Sequence, residues 1–210
     1  MARGEPPSLY VLAGPNGGGK SSIGGAAFRQ LGADYFNPDE ATRLIRGARR
    51  GLSEAEANSL ALHQGKRLLE QAIAHRQTHA FETTLGGETI TSLLLDAAAA
   101  GIEIRMWYVG LATPELHIAR VAARVRRGGH SIPAGRIRQR YDSSRRNLIR
   151  LLPHLAELRL FDNSVDGDPA AGIAPQPLLV LQLAANKVRT CPVPRIPRWA
   201  APIVEAALRR

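Results

Sequence analysis

The sequence predicts an α/β fold: a mainly parallel central sheet flanked by helices, with a basic helical lid. Three observations carry that expectation. Short apolar runs alternate with stretches of helical periodicity over most of the 210 residues, as in proteins built on a parallel sheet. The first apolar run, Leu9-Tyr10-Val11-Leu12-Ala13, opens into the glycine loop Gly14-Pro15-Asn16-Gly17-Gly18-Gly19-Lys20-Ser21 and then into a stretch that can continue as a helix. Ten arginines and one acid, Asp142, lie between Arg120 and Arg150, on two helical stretches separated by a loop that begins Gly128-Gly129.

The run 9–13 lacks alternation, so the first strand is expected to be buried on both faces. The helix after the loop should reach Gln30, with Gly32 as its stop. Residues 33–37 read as a short second strand ended by Pro38, and residues 40–50 as a helix. Ser53 and Glu56 form a capping box before a long helix whose buried stripe is Ala57, Leu60, Ala61, Leu68, Leu69, Ala72 and Ile73. A third strand spans 78–84, Gly86-Gly87 breaks it, and 88–100 is helical up to Gly101. The fourth strand spans 102–110. Thr113-Pro114 then caps and opens a helix that reaches Arg127. Residues 128–133 form a loop, 134–152 a helix, and 158–163 a fifth strand followed by a turn at Asp166-Gly167-Asp168-Pro169. Residues 178–183 read as a further strand, and a proline-rich tail leads into a final short helix. With no repeat and no linker, residues 1–210 read as one domain whose lid covers 120–150.

The glycine loop has the form G-x-x-x-x-G-K-[ST]. A strand before it and a helix after it are the context in which that pattern binds a nucleoside triphosphate. Glycines let the backbone curl until successive N–H groups face an anion, and a helix start adds its positive end. Gly14, Asn16, Gly17, Gly18, Gly19 and Ser22 thus join Lys20 and Ser21 as candidate nucleotide-binding residues. Lys20 supplies a point charge for the β- and γ-phosphates, and the Ser21 hydroxyl is the candidate Mg²⁺ ligand.

Ligands of parallel α/β folds bind beyond the carboxyl ends of the strands, which brings Asp39 and Glu82 into the crevice of the loop. Asp39 reads either as a base for an acceptor hydroxyl or as a cap for the following helix. Glu82 reads as an acceptor-binding carboxylate, as part of a Mg²⁺ shell, or as a strand-edge glutamate facing water. The fourth strand carries no aspartate at its carboxyl end, so any second metal ligand comes from elsewhere.

Arg120, Arg124 and Arg127 fall at i, i+4 and i+7 and share a helical face, and Arg136, Arg138 and Arg140 begin the next helix. Arginine forks bind phosphate oxygens bidentately, so the segment reads as a lid over a triphosphate. A solvated basic face and a nucleic-acid surface are the alternatives. Tyr141 aside, the segment offers few aromatics for base stacking, which weakens the nucleic-acid version. This segment accounts for +9 of the net charge of +10, so its clustering matters more than the total.

The one cysteine, Cys191, excludes an internal disulfide framework and fits a reducing compartment. His63, His75, His79, His117, His130 and His154 show no metal-ligand spacing. No apolar run is long enough to span a membrane or serve as a signal, so a cytoplasmic location and no membrane partner are expected.

Taken together, GPNGGGKS, NPDE at Asn37 to Glu40, FETTL at Phe81 to Leu85, RVAARVRRGGHSIP at Arg120 to Pro133, Arg140-Tyr141 and FDNS at Phe161 to Ser164 resemble the zeta-toxin family of P-loop kinases, in its compact branch. The resemblance covers residues 9–164, and it is the order of the motifs that is specific. It implies a phosphotransferase using ATP or GTP with Mg²⁺. Well-known members of the family phosphorylate the 3′-hydroxyl of the amino sugar in UDP-N-acetylglucosamine, and a small antitoxin binds over the nucleotide site. Carried over, Lys20 and Ser21 bind phosphate and metal, Asp39 is the general base, and Glu82 with Thr83 is the acceptor-binding strand end. Arg120 and Arg124 approach the transferred phosphate, with Arg127 on the nucleotide side and Arg136 on the acceptor side. The acceptor stays open between a sugar nucleotide and another small hydroxyl compound. A metabolic or detoxifying kinase, a nucleotide-dependent nucleic-acid-binding protein, and a protein that binds nucleotide without transfer remain as rivals.

Overall fold

In the computed structural model, which describes residues 6–30, 35–49, 51–165, 176–185, 187–192 and 194–209, strands and helices alternate from the start. The strands are β1 (Ser8–Ala13), β2 (Tyr35–Phe36), β3 (His79–Thr83), β4 (Glu103–Gly110), β5 (Glu157–Asp162), β6 (Leu178–Ala184) and β7 (Lys187–Thr190). The helices are α1 (Lys20–Ile23), α2 (Gly25–Arg29), α3 (Pro38–Ala48), α4 (Glu54–Ala74), α5 (Glu88–Ala99), α6 (Pro114–Arg126), α7 (Ala134–Leu151) and α8 (Ala201–Leu208).

The strands form one sheet in the order β2-β3-β1-β4-β5-β6-β7. Pairing is parallel from β2 through β5 and antiparallel at β6 and β7. After β1 the chain builds the sheet on one side with β2 and β3, then returns to the other side with β4 and β5. The carboxyl end of β1 is therefore a topological switch point, where parallel α/β sheets bind ligands.

Strand alternation divides the core. Leu9, Val11, Phe81, Ile104, Met106 and Leu158 pack into the large cluster that also takes residues of α4, α5, α7 and α8. Leu12, Ala80 and Val109 form a smaller cluster around Phe28 of α2, with Tyr10, Tyr35, Trp107 and Phe161 packed against it. Phe28 meets Trp107 edge-on with centroids 5.4 Å apart, a favoured aromatic geometry.

Several boundaries differ from the sequence expectation. The helix after the glycine loop breaks at Gly24, where a Cβ would stand 2.7 Å from the Leu12 side chain. Gly32 and the start of the expected second strand lie outside the described residues, as does the turn at 166–169. Pro38 does not merely end a strand. It is the first residue of α3, with Asn37 as N-cap. Leu60, expected in the buried stripe of α4, is exposed. The Ser53–Glu56 capping box and the Thr113 cap form as the sequence predicts. β7 is an additional strand, and no helix among the described residues is long and apolar enough to cross a membrane.

Candidate active site

The glycine loop leaves β1 and curls beneath the amino end of α6. Gly14 has φ +134°, and a Cβ there would lie 2.1 Å from the Val109 carbonyl oxygen of β4. Gly19 has φ +87°, and a Cβ there would lie 2.5 Å from Asn163 Nδ2. Only glycine fits either position. Asn163, just past β5, donates from Nδ2 to the Gly18 carbonyl at 3.0 Å, while its own carbonyl accepts from Arg120 Nη2 at 2.7 Å. The end of β5 thus braces both the loop and the first lid arginine.

Lys20 is buried. Its Nζ donates to the Gly14 carbonyl at 2.8 Å and lies 3.5 Å from Glu82 Oε1. Glu82 is not a water-facing strand-edge residue: its side chain is only 11% exposed. Its Oε2 accepts from Ser21 Oγ at 2.9 Å, Tyr35 OH at 3.0 Å and Asn37 Nδ2 at 3.2 Å. Burial first, and then the Glu82 carboxylate, push the Tyr35 hydroxyl above its ordinary pKa, so Tyr35 stays a donor. β3 lies directly beside β1, and Glu82 pairs in register with Leu12. This is how a strand-end acid reaches the loop although β4 carries none.

Asp39 does not cap α3. The Asn37 side chain takes that role, accepting from the Asp39 and Glu40 backbone N–H groups, which leaves the Asp39 carboxylate free to face the cleft. There its Oδ2 accepts from Arg124 Nη1 of α6 at 2.9 Å. Arg124 also donates from Nη2 to the His130 carbonyl at 3.1 Å, and the His130 ring meets Glu54 at the start of α4. The connection between α6 and α7 is therefore pinned to both α3 and α4.

A cleft of about 1180 Å³ is lined by Asn16, Gly17, Gly19, Lys20, Ser21, Ser22, Asp39, Glu82, Arg120, Arg124 and Arg127. Gly14 and Gly18 stand behind its wall, pressed against β4, and do not line it. A second cavity of about 640 Å³ lies on the other side of Asp39 and takes Thr83 and Arg136. Lys20, Asn37, Asp39 and Glu82 belong to both walls. Thr83 also accepts the Leu85 backbone N–H at 3.0 Å, which shapes the turn after β3.

Three residues at the site are not assigned to it by the sequence, which gives Arg140 only as a lid arginine, Asn37 only within the NPDE motif and His117 no role. Arg140 of α7 donates from Nη1 to Asn16 Oδ1 at 2.7 Å and lines the second cavity; burial lowers its pKa. His117 of α6 is fully buried under the loop, with Nδ1 2.8 Å from the Asn16 carbonyl. Its burial lowers the pKa to about 4, so the ring is neutral and donates from Nδ1. Asn37 is the third. Asparagine before a proline and two acids is a legible helix start, but nothing local links it to Glu82.

The donor set suits a nucleotide with Mg²⁺. The Ser21 hydroxyl and the Glu82 carboxylate are hard oxygen ligands side by side, and Mg²⁺ binds through one or two such groups together with phosphates.

The family model for the zeta toxin matches residues 1–157. An uncharacterized protein of Haemophilus influenzae is 29% identical over 129 residues, 61% of this chain and 88% of that protein. Among solved structures, the complex of AvrRxo1-ORF1 and AvrRxo1-ORF2 with ATP superposes with TM-score 0.68 at 17% identity over 97% of this chain. The chain spans 64% of the length of that neighbour. The PezAT chromosomal toxin–antitoxin system of Streptococcus pneumoniae matches with TM-score 0.56 at 12% identity, covering 77% of this chain and 69% of that one. With the family model spanning most of the chain and the phosphate loop built as described, this chain belongs to the zeta toxin family of P-loop kinases.

Proposed function

We propose that this kinase transfers the γ-phosphate of ATP or GTP to a hydroxyl of a sugar nucleotide such as UDP-N-acetylglucosamine, at its 3′-hydroxyl, and acts as the toxin of a toxin–antitoxin pair in the cytoplasm. One observation carries the reading: two cavities meet at a common wall that holds Lys20, Asp39 and Glu82. The glycine-loop cleft suits the nucleotide, and the cavity with Thr83 and Arg136 suits the acceptor. Bound nucleotide with Mg²⁺ supplies the transferable phosphoryl group and neutralises part of its charge. Lys20, Gly17 and Gly19 would hold the phosphates, and Ser21 with Glu82 would hold the metal. Asp39 accepts the acceptor's hydroxyl proton at its carboxylate. Arg120 and Arg124 line the glycine-loop cleft from α6 and stabilise charge there, with Arg127 lining it as well. α7 buries Ile137, Tyr141, Leu148 and Leu151 in the core, so a lid in the 120–150 segment would close through the residues before Ala134, releasing the contacts of Arg124 and His130.

The nucleic-acid reading draws little support from the arginine cluster. Six of its ten arginines are already engaged within the chain: Arg120, Arg124, Arg138, Arg140, Arg145 and Arg150. The deciding experiment incubates the protein with ATP, Mg²⁺ and a panel of sugar nucleotides, and seeks one added phosphate by mass spectrometry. Phosphorylated UDP-N-acetylglucosamine is the expected product. A different phosphorylated hydroxyl compound would favour a metabolic or detoxifying kinase, and ATP bound without turnover would end the transferase reading.

A further inference from the structure

Asn37 occupies one junction between the two carboxylates of the site. Phe36 pairs with Phe81 at the end of β2, so the next residues along, Asn37 and Glu82, come side by side where β2 has ended and β3 has one residue left. Asn37 is 6% exposed. Its Oδ1 accepts from the Asp39 N–H at 2.9 Å and the Glu40 N–H at 3.4 Å, while its Nδ2 donates to Glu82 Oε2 at 3.2 Å. The surroundings fix this orientation. Turning the amide over would set its NH₂ against two N–H donors and its oxygen against a carboxylate.

A helix cap needs only an acceptor, and aspartate and asparagine serve about equally well. Asparagine can also donate from a second atom. Resting on the transfer proposed above, we propose that Asn37 is a positioning residue. It clamps the first turn of α3, and with it Asp39, to the Glu82 carboxylate beside Lys20 and Ser21. The clamp sets the separation of the base from the phosphate-binding groups. It also explains why the cap of α3 is a buried asparagine facing the site rather than a serine at the surface.

Two variants test this. Asn37→Asp keeps the cap but replaces the donor with a second carboxylate beside Glu82. Asn37→Gly loses both contacts while weakening the cap by only a small amount. Displacement of a reacting group by about 1 Å can lower a rate on the order of 100-fold. We expect kcat for phosphate transfer to fall by roughly 10- to 100-fold in both variants. Mg-ATP affinity should stay near wild type by calorimetry, and melting temperatures should stay within about 2–4 °C. The KM for Mg-ATP should likewise stay near wild type, so that the loss falls on kcat.

Two results would each overturn the proposal: rates within about three-fold of wild type in both variants, or a loss that follows the melting temperature. Wild-type protein is the control for the functional reading. If it turns over no ATP with any acceptor, that reading fails. Wild-type turnover that survives in both variants removes only the role of Asn37.

Discussion

Asp39 and Arg124 face each other at 2.9 Å with side chains 41% and 37% exposed, so water screens the pair and its worth to stability is small. In the proposed transfer its weight is chemical. Asp39→Asn keeps size and leaves the Asn37 cap intact. We expect transfer to fall by roughly 10²–10⁴, the range for loss of a general base, with ATP affinity and melting temperature unchanged. Retained activity would return Asp39 to the role of a helix residue. Lys20→Ala should abolish transfer while circular dichroism shows the fold kept, and unchanged turnover in that variant would sink the kinase assignment. His117 gives a pH signature of a different kind. Its folded pKa of about 4 lies below the ordinary value of 6.5, so between these limits the unfolded chain binds more protons. Stability contributed by neutral His117 is complete above pH 6.5 and is lost as pH falls toward 4, on the order of 3 kcal/mol in all. In His117→Gln the fall in melting temperature from pH 7 to about pH 4.5 should be smaller than in wild type. An identical fall in both proteins would mean that His117 does not titrate differently on folding.

Helix α6 does two jobs at its two ends. Its first turns are welded to the glycine loop: His117 lies under Asn16, and a Cβ on Gly17 would meet the His117 carbonyl at 2.6 Å. Its last turn carries Arg124 over the cleft and passes into the Gly128-Gly129 connection, where Gly128 has φ +85°. An arginine acting mainly in the transition state lowers the transfer rate when removed and affects nucleotide binding less. Arg124→Ala should therefore lose most of the transfer rate. Arg124→Lys should recover it only in part, because lysine lacks the fork that spans Asp39 and the His130 carbonyl. A nucleic-acid surface would behave otherwise. Oligonucleotide affinity would then fall with salt at a log–log slope of about −0.7 to −0.9 per phosphate contact, and each arginine removed would matter a little. Tight oligonucleotide binding near physiological salt, with transfer intact in Arg124→Ala, would overturn the assignment of α6 to the nucleotide.

The family match ends at residue 157, yet the chain beyond it completes the core. Val180, Leu181 and Leu183 of β6 and Ile203 and Val204 of α8 are buried in the large cluster. Trp199, 3% exposed, lies so close to the end of β4 that a Cβ on Gly110 would stand 2.4 Å from its ring. Trp199→Ala should destabilise the protein by about 3–5 kcal/mol, measured by denaturant unfolding. A loss under 1 kcal/mol would show that the C-terminal unit is an appendage rather than part of the core. At the level of the cell, expressing wild-type protein in a bacterium should slow growth, and Lys20→Ala or Asp39→Asn at equal soluble yield should relieve it. Harmless wild-type expression would remove the toxin role and leave the kinase.

By itself the sequence determined what is local: the phosphate loop, the alternation of strands and helices, the capping box at Ser53 and the cap at Thr113. Each depends on residues a few positions apart, where periodicity, hydrogen-bonding type and glycine content decide the backbone. It also placed Asp39 and Glu82 near the loop, because parallel sheets gather strand ends at one edge, and the arginines of 120–127 over it, because they share a helical face and their forks suit phosphate. Only the tertiary structure decided what those groups touch. Asn37 meets Glu82 across 45 positions, Arg124 meets Asp39 across 85, and Arg140 meets Asn16 across 124. No short-range pattern encodes such partners. They follow from strand order, which sets β3 beside β1, and from core packing, which buries one face of α7 and turns Arg140 toward the loop. The same distinction explains Leu60. Its spacing fits the buried stripe of α4, but which side of that stripe meets the sheet is fixed by the neighbouring elements and not by the helix alone.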